Sequence, residues 1–183
     1  MRKLTFSENK LLKHTDFFNW QVSNSVHESK ILARFHIEKR HEYVLYNKLS
    51  RQARLIGNLI MKLDQEDPVR LERSAQLIEK MYSIGLIPLK GSLEQVDRIN
   101  ASCFCRRRLG VVMVRIKMVP TLKVAVSYIK HGHVRVGMDI IQDPAYLVTR
   151  SMEDYITWTD SSAIKKRIAE YNDMRDDFEL MNC

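Results

Sequence analysis

Basic side chains flank the point where a helix-like apolar run in the sequence ends at Gly132 and a strand-like run begins. His131, His133 and Arg135 lie at this corner, and three consecutive arginines, residues 106–108, precede it. A guanidinium group binds phosphate through two parallel hydrogen bonds, and its plane also stacks on unpaired bases. The pattern therefore favours binding of RNA or DNA at a rigid helix-to-strand corner. The alternative is a solvated basic face, which is common on surface helices.

Other reactive residues in the sequence do not form a catalytic or metal-binding pattern. His131 and His133 have no carboxylate or thiol cluster at ligand spacing, so a phosphate contact or an ordinary surface role is favoured over a metal site. Cys103 and Cys105 lie near a predicted helix start, where packing is favoured over redox chemistry. The segment GHVRVGMD lacks the lysine and hydroxyl that follow the glycines of a phosphate-binding loop. We therefore expect no enzyme activity, no cofactor and no metal.

Charge is unevenly distributed along the 183 residues, which carry a net charge of +8. Residues 1–55 carry +6, residues 56–100 carry −1, residues 101–152 carry +7 and residues 153–183 carry −4. Two basic blocks separated by a near-neutral segment predict a polyanionic partner. No run of 18 apolar residues occurs, so no membrane span is predicted. The sequence starts without an apolar leader and has no Cys-x-x-Cys pair among its three cysteines, so we expect a reducing compartment.

Hydrophobic periodicity predicts that residues 1–100 are mainly helical. Apolar residues alternate at three- and four-residue spacing over about 38–63, which is typical of one buried helix face. Asp67 and Pro68 predict the N-cap and first turn of a second helix, and Gly85 predicts its C-cap. Loops are predicted near 22–29, 64–68 and 85–92, a capping box at Ser92 and Gln95, and a buried first-helix face formed by Tyr46, Leu49, Ala53, Ile56, Ile60 and Leu63.

The region from Ala101 onward predicts two short helices packed on a small antiparallel sheet. An apolar stripe that begins at Leu109 predicts the first helix, and the second starts at Pro120 and ends at Gly132. Alternation in HVRVG predicts a strand whose valines face the core, and AYLVT and YITWT are two further strand candidates. The predicted fold class is α+β, with a mainly helical N-terminal region at 1–100, an RNA-binding domain at 101–160, and a C-terminal helix and acidic tail at 161–183.

A helical wheel through the first of these helices places Arg107, Arg108 and Arg115 on its outward face and Arg106 at the edge of that face. The second helix and the strand are expected to turn their own basic residues toward the same side. The candidate RNA-binding residues are Arg106, Arg107, Arg108, Arg115, Lys117, Lys123, Lys130, His131, His133 and Arg135.

Several long motifs are similar to one known family, the S4-domain protein of the U3 small nucleolar ribonucleoprotein, a component of the small-subunit processome. The motifs are FCRRRL, HGHVRVG, DPAYLVTRSMEDYITW and KKRIAEYNDMRDDFEL, with RKLTFSENKLLKHTDFFNW and EYVLYNKLSR nearer the N-terminus. The similarity covers nearly the whole chain, and DPAYLVTRSMED is far more specific than the charge pattern. Gly110 and Met138 depart from it, because prolines are usual at both positions.

This resemblance implies the S4 fold and places its RNA-binding surface at the basic positions named above. It implies a noncatalytic, nucleolar factor that helps U3 small nucleolar RNA to pair with pre-ribosomal RNA. It also implies assembly with a Brix-domain protein and an acidic scaffold protein. We expect either the aromatic segment DFFNW, residues 16–20, or the acidic tail to dock a protein partner. Base stacking by Phe17, Phe18 and Trp20 is the alternative role for that segment.

Two other functional classes share these features. A permanent small-subunit ribosomal protein of the S4 family would have the same corner and helical arm, but such a protein more often ends in a basic tail than in an acidic one like NDMRDDFEL. An enzyme with an S4 appendage, such as a pseudouridine synthase, would need a separate catalytic domain, for which the chain is too short.

Overall fold

The computed structural model describes residues 2–14 and 22–172, and over these ranges the fold is α+β, as predicted. Phe17, Phe18, Trp20 and the acidic tail beyond Asn172 lie outside the described residues. The helices are α1 Phe6–His14, α2 Val22–Arg34, α3 Arg40–Met61, α4 Pro68–Ile84, α5 Glu94–Asp97, α6 Ala101–Cys105, α7 Leu109–Arg115, α8 Leu122–Lys130 and α9 Ala163–Tyr171, and a 3-10 helix spans Arg150–Tyr155. The strands are β1 Val134–Val136, β2 Asp139–Ile140 and β3 Ile156–Trp158.

Local capping signals define α4 as predicted. The Asp67 carboxylate accepts a hydrogen bond from the backbone N–H of Val69, and Pro68 occupies the first turn, where no backbone donor is needed. Gly85 ends the helix with a φ of 85°, which glycine adopts without a side-chain clash. The preceding loop at 64–68 and the following irregular segment at 85–92 also match the prediction.

Other local predictions were wrong. Residues 22–29 belong to α2 rather than to a loop. The expected capping box at Ser92 and Gln95 is absent, because the four-residue α5 begins after Leu93 without a side-chain cap. The segment AYLVT makes only one isolated bridge, between Leu147 and Arg108. The strand that pairs with β1 on the side away from β3 is instead β2.

Only half of the predicted buried face of α3 faces the interior. Tyr46, Ala53 and Ile60 are buried as predicted, and the same face is completed by Tyr43, Ser50 and Gly57. Leu49, Ile56 and Leu63 are instead exposed to solvent. The helix therefore turns a different face toward the interior than the prediction assumed. It carries two apolar stripes, and the chain's own core uses one of them.

Two hydrophobic cores organise the described chain. The N-terminal core, formed by α2 to α6 and their loops, centres on residues such as Tyr46, Ile87 and Phe104. The C-terminal core lies between α7, α8 and the antiparallel sheet, whose strand order is β2-β1-β3. Val134 and Val136 of β1 are buried in it, as the alternation predicted. Val111 of α7 packs against the N-terminal core, so this helix contacts both.

Arg107 and Arg108 are buried between these cores, so the prediction that they point outward was wrong. The chain makes two helices here, α6 ending at Cys105 and α7 beginning at Leu109, and a single helical wheel does not extend across residues 106–108. Each of these two residues is only 4% exposed. Their burial requires internal hydrogen-bond acceptors, because an unpaired buried charge costs several kcal/mol.

Those acceptors come from opposite sides of the arginine run. The Arg107 guanidinium donates through Nε to the carbonyl oxygen of Val148, at 2.9 Å, and through Nη1 to the carboxylate of Glu153. The Arg108 guanidinium donates to the Glu42 carboxylate of α3 at 2.5 Å and to the Tyr46 hydroxyl at 3.1 Å. Arg107 thereby ties the start of the C-terminal domain to the 3-10 helix before β3, and Arg108 ties it to α3 of the N-terminal region.

Removing the carboxylate opposite Arg108 should destabilise the fold strongly. Glu42→Ala leaves a buried guanidinium with only the Tyr46 hydroxyl, and we expect a loss of about 3 kcal/mol or more in the free energy of unfolding. Urea denaturation of the purified protein measures it. The matched control is Glu38→Ala, whose carboxylate makes an exposed ion pair with Lys130 and should leave the midpoint near wild type. Equal midpoints for the two variants would contradict the structural role of Arg108.

Acid should weaken the contact between Glu153 and Arg107. Partial burial alone would raise the pKa of Glu153, but hydrogen bonds from Arg107 and Arg115 outweigh it and hold the pKa below the ordinary value of 4.5. The stabilisation is therefore complete above pH 4.5 and is lost as the pH falls through the lowered folded-state pKa. Unfolding free energies measured between pH 6 and 3 should show this loss in the wild type, and a smaller one in Glu153→Gln. Parallel curves for the two proteins would refute it.

Candidate RNA interface

The turn between α7 and α8 projects two lysines into solvent. Lys117 adopts a left-handed φ of 62°, and the backbone N–H of Met118 donates to the Met113 carbonyl oxygen at 3.0 Å, which closes the turn. Val119 is buried and anchors the turn to the C-terminal core. Lys117 lies in this turn, and Lys123 is the second residue of α8. Both are exposed, and neither makes an ion pair within residues 2–14 and 22–172. Both ammonium groups are therefore available to phosphate.

The two histidines of the corner have different roles. Gly132 ends α8 with a φ of 72°, and the backbone N–H of His133 donates to the Tyr128 carbonyl oxygen at 3.0 Å. The Nδ1 atom of His133 lies 3.1 Å from the Ser162 hydroxyl, and its half-buried ring meets the Tyr128 ring edge-on. His133 thus stabilises the corner. His131 is exposed, and its ring has open access to a ligand.

Arg135 lies on the outer face of β1, opposite the buried valines. Its guanidinium donates through Nε to the Thr157 hydroxyl at 3.0 Å and pairs through Nη1 with the Asp160 carboxylate at 2.7 Å. A hydrogen bond from Lys165 and the nearby charge of Arg135 lower the pKa of Asp160 below its ordinary value. A shallow depression of about 400 Å³ runs beside these groups and is lined by Met118, Arg135, Ile156, Thr157, Trp158 and Lys165.

Sequence reasoning missed two residues of this depression, Trp158 and Lys165. Trp158 pairs with Val134 in the register between β1 and β3 and packs edge-on against Tyr128, with ring centroids 5.7 Å apart. Because directly paired residues face the same side of a sheet, the half-buried indole lies on the core side with Val134 and packs against the C-terminal core. The segment YITWT predicts a strand that contains this tryptophan. The pairing of that strand with β1, which places Trp158 opposite Val134, could not be read from the sequence.

Lys130 lines a different cleft, of about 410 Å³, between the C-terminal domain and the loop that follows α2. Its ammonium group contacts both carboxylate oxygens of Glu38, at 2.6 and 2.7 Å. This hydrogen-bonded ion pair lowers the pKa of Glu38. The cleft carries mixed charge, since Glu42 and Asp143 line it together with Lys39 and Lys130.

Arg106 and Arg115 line a third cleft, of about 370 Å³, beside the end of α4. Arg115 pairs with Glu153 at 2.6 Å, whereas Arg106 is exposed and makes no ion pair among the described residues. Arg150 also lines this cleft, stacked 4.2 Å from the centroid of the Tyr82 ring, and donates to the Ile87 carbonyl oxygen at 2.7 Å. Sequence reasoning did not single out Arg150, although it lies within the motif DPAYLVTR.

The ten predicted residues therefore divide into three groups. The members that line a depression are spread over three separate ones, which share no lining residue. Among the described residues, the members that are exposed and make no ion pair are Arg106, Lys117, Lys123 and His131. Those that reach solvent but pair with a carboxylate are Arg115, Lys130 and Arg135. Those that hold the fold together are Arg107, Arg108 and His133.

The cysteines and the remaining ligand types have a structural explanation. Cys103 and Cys105 are free thiols, and burial raises the pKa of Cys105 to about 11, which keeps it protonated and unreactive. Within the described ranges, no group of three or more His, Cys, Asp or Glu residues could hold a metal ion. No helix in the same ranges is long and apolar enough to cross a membrane.

Comparison with known proteins matches the chain to two family models. Ribosomal protein S4/S9 N-terminal domain covers residues 3–106, and S4 domain covers residues 107–154. These ranges meet inside the arginine run. The predicted boundaries of the domains, at 100/101 and 160/161, remain predictions.

Individual relatives extend the similarity over the whole chain. The U3 small nucleolar ribonucleoprotein protein IMP3 of Homo sapiens is 49% identical over 181 residues, which is 98% of each chain. That of Saccharomyces cerevisiae is 41% identical over 181 residues, 98% of this chain and 99% of its own. Small ribosomal subunit protein uS4 of Picrophilus torridus is 26% identical over 147 residues, 78% and 79% of the two chains. The motifs in the sequence predicted this relationship, and the chain belongs to the family of S4-domain proteins of the U3 small nucleolar ribonucleoprotein.

Proposed function

We propose that this chain is a noncatalytic RNA-binding factor of ribosome biogenesis, which promotes pairing of U3 small nucleolar RNA with pre-ribosomal RNA in the nucleolus of the nucleus. The observation that supports this proposal most strongly is the full-length similarity to U3 small nucleolar ribonucleoprotein proteins, at 49% sequence identity. A ribosomal protein uS4 is only 26% identical, over a shorter range. Pairing of these RNAs would serve early processing of pre-18S ribosomal RNA in the small-subunit processome. A permanent ribosomal protein of the S4 family is the less supported alternative.

The charge distribution supports a pairing role. Two RNA strands repel each other through their phosphates, so a factor that brings them together must neutralise both without reading their bases. The basic residues of 101–152 hold one strand in this proposal, and those of 1–55 hold the other. Among the candidates in residues 101–152, Lys117 and Lys123 are the best placed to reach RNA. Both are exposed, and neither has to break an ion pair with another described residue when RNA binds.

Protein partners complete the proposal. The family resemblance supports a Brix-domain protein and an acidic scaffold protein of the processome as the partners, with no membrane partner.

Neutralising the two free lysines of the corner should reduce the salt dependence of RNA binding. If Lys117 and Lys123 each contact one phosphate, Lys117→Ala with Lys123→Ala should lower the magnitude of the log–log salt slope by about 1.4 on single-stranded RNA. Annealing of U3 RNA to pre-ribosomal RNA fragments should slow as well. The fold should be unaffected, because both side chains are exposed. A salt titration and an annealing rate on the same variant test this.

The matched control for that experiment is Lys166→Ala with Arg167→Ala, which removes two exposed cations from α9. It should leave the slope and the rate near those of the wild type. Identical slopes for both double variants would mean that the lysines of the corner are only a solvated basic face. Co-sedimentation of the chain with mature small ribosomal subunits would instead favour the ribosomal protein.

Removing two aromatic rings from the segment DFFNW should weaken recovery of a protein partner. Aromatic side chains anchor protein interfaces, so Phe17→Ala with Phe18→Ala should reduce co-purification of the Brix-domain or the scaffold protein. Phe6→Ala is the control, since it removes an exposed phenylalanine from α1. Quantitative immunoblots of both partners provide the measurement. Full recovery of both from a folded double variant would reject a docking role for these two rings.

A further inference from the structure

Helix α3 exposes a regular apolar stripe next to its buried face. The α3 stripe comprises Leu45, Leu49, Ile56, Leu59 and Leu63, which are 52%, 37%, 48%, 62% and 38% exposed. With Gln52 in the one polar position, the spacing alternates between four and three residues, which is the period of a helix that packs along another helix. Leu63 lies just beyond the end of the helix at Met61.

Packing among the described residues does not explain this stripe. The buried face of the same helix uses Tyr43, Tyr46, Ala53 and Ile60, and α3 packs with α4, α5 and α6. A row of five large apolar side chains in water is unusual for a monomer, and such patches mark interaction sites. The regular seam also distinguishes the α3 stripe from scattered surface leucines, which need no explanation.

A groove continues the stripe between α3 and α4. It has a volume of about 290 Å³ and is lined by the apolar side chains of Ile56, Ile60 and Leu77 and by the polar ones of Arg73, Gln76 and Lys80. None of the described residues that line it is acidic, and the carboxylate of Glu72 accepts a hydrogen bond from the Gln76 side chain at 2.9 Å.

The flanks of the stripe are basic as well. Lys48 lies along its other side by the helical repeat and is exposed. The single acid of α3, Glu42, is held by Arg108. The surface is therefore an apolar seam with a positive rim.

We infer that the α3 stripe and its groove receive an amphipathic helix of an acidic protein partner. The inference rests on the proposed partnership with an acidic scaffold protein and names the surface that binds it. From Leu45 to Leu63 the stripe is about 27 Å long, so the partner helix needs about 18 residues with apolar side chains on one face and carboxylates beside them.

Other occupants fit this surface less well. A second copy of the chain would bring two positive rims together, and like charges across an interface oppose association. RNA would gain nothing from the leucines, which can neither neutralise phosphate nor stack on bases. Carboxylates on a partner helix match the rim formed by Lys48, Arg73 and Lys80 and leave the leucines to be buried.

The experiment compares two leucines of equal exposure on different faces. Leu59 lies in the stripe and Leu71 lies on α4, on the side opposite the groove, and each is 62% exposed. Binding of the purified acidic scaffold protein to the full-length chain is measured by calorimetry. We expect Leu59→Glu to raise the dissociation constant by about 30-fold, because it buries a carboxylate against an acidic helix. Leu71→Glu should leave the dissociation constant unchanged.

Three further measurements separate this inference from its alternatives. Lys80→Glu should slow association and reduce its salt dependence, since the charge lies at the rim. Circular dichroism and thermal melting should show that Leu59→Glu remains folded. RNA binding by Leu59→Glu should match the wild type, so that loss of the scaffold protein is distinguishable from loss of the proposed RNA function.

Several results would overturn the inference. Equal scaffold affinity for Leu59→Glu and Leu71→Glu would show that the scaffold docks elsewhere. Failure of the wild type to bind the scaffold, with RNA annealing intact, would remove this partner but leave the RNA function standing. A wild-type dimer that Leu59→Glu dissociates would identify a second copy as the occupant. Several-fold tighter scaffold binding after removal of residues 173–183 would identify the chain's own acidic tail.

Discussion

Burial of two adjacent positive charges is the constraint on which the arrangement of this chain depends. Arg107 and Arg108 follow one another in the short turn between α6 and α7, and their guanidinium groups find acceptors in different parts of the molecule. Arg107 is held by Val148 and Glu153, and Arg108 by Glu42 and Tyr46. Because neither charge can be left unpaired without a large free-energy cost, Arg108 fixes the C-terminal domain against α3 of the N-terminal core, and Arg107 fixes it against the segment before β3. The free cations at the α7–α8 turn are thereby carried on a rigid support.

The parts of the fold predicted correctly are those set by neighbouring residues. Asp67, Pro68 and Gly85 define α4 through contacts within one turn of the chain, and the alternation at Val134 and Val136 needs only the pleat of a strand. The burial of Arg107 and Arg108 could not be predicted, because their hydrogen-bond acceptors lie far away in sequence. Glu153 is 46 residues beyond Arg107, and Glu42 is 66 residues before Arg108. No periodicity within residues 106–108 carries that information.

The candidate site was predicted in part for the same reason. Lys117, Lys123 and His131 are exposed as expected, because their positions follow from a helix pattern and a glycine stop. Trp158 was missed, because its pairing with Val134 depends on the register between β1 and β3. On α3, both apolar stripes satisfy the helical period, and periodicity alone does not say which of two such faces meets the chain's own core.

Three cations of the basic surface already hold carboxylates: Glu153 on Arg115, Glu38 on Lys130 and Asp160 on Arg135. A phosphate arriving there exchanges with an anion of the protein instead of filling an empty site. The net gain from each such contact is only the difference between two similar attractions, and fewer solution counterions are released than at a bare lysine. These ion pairs limit self-repulsion among the cations of the free protein. If the proposed RNA surface includes them, they would also keep its binding to a polyanion reversible.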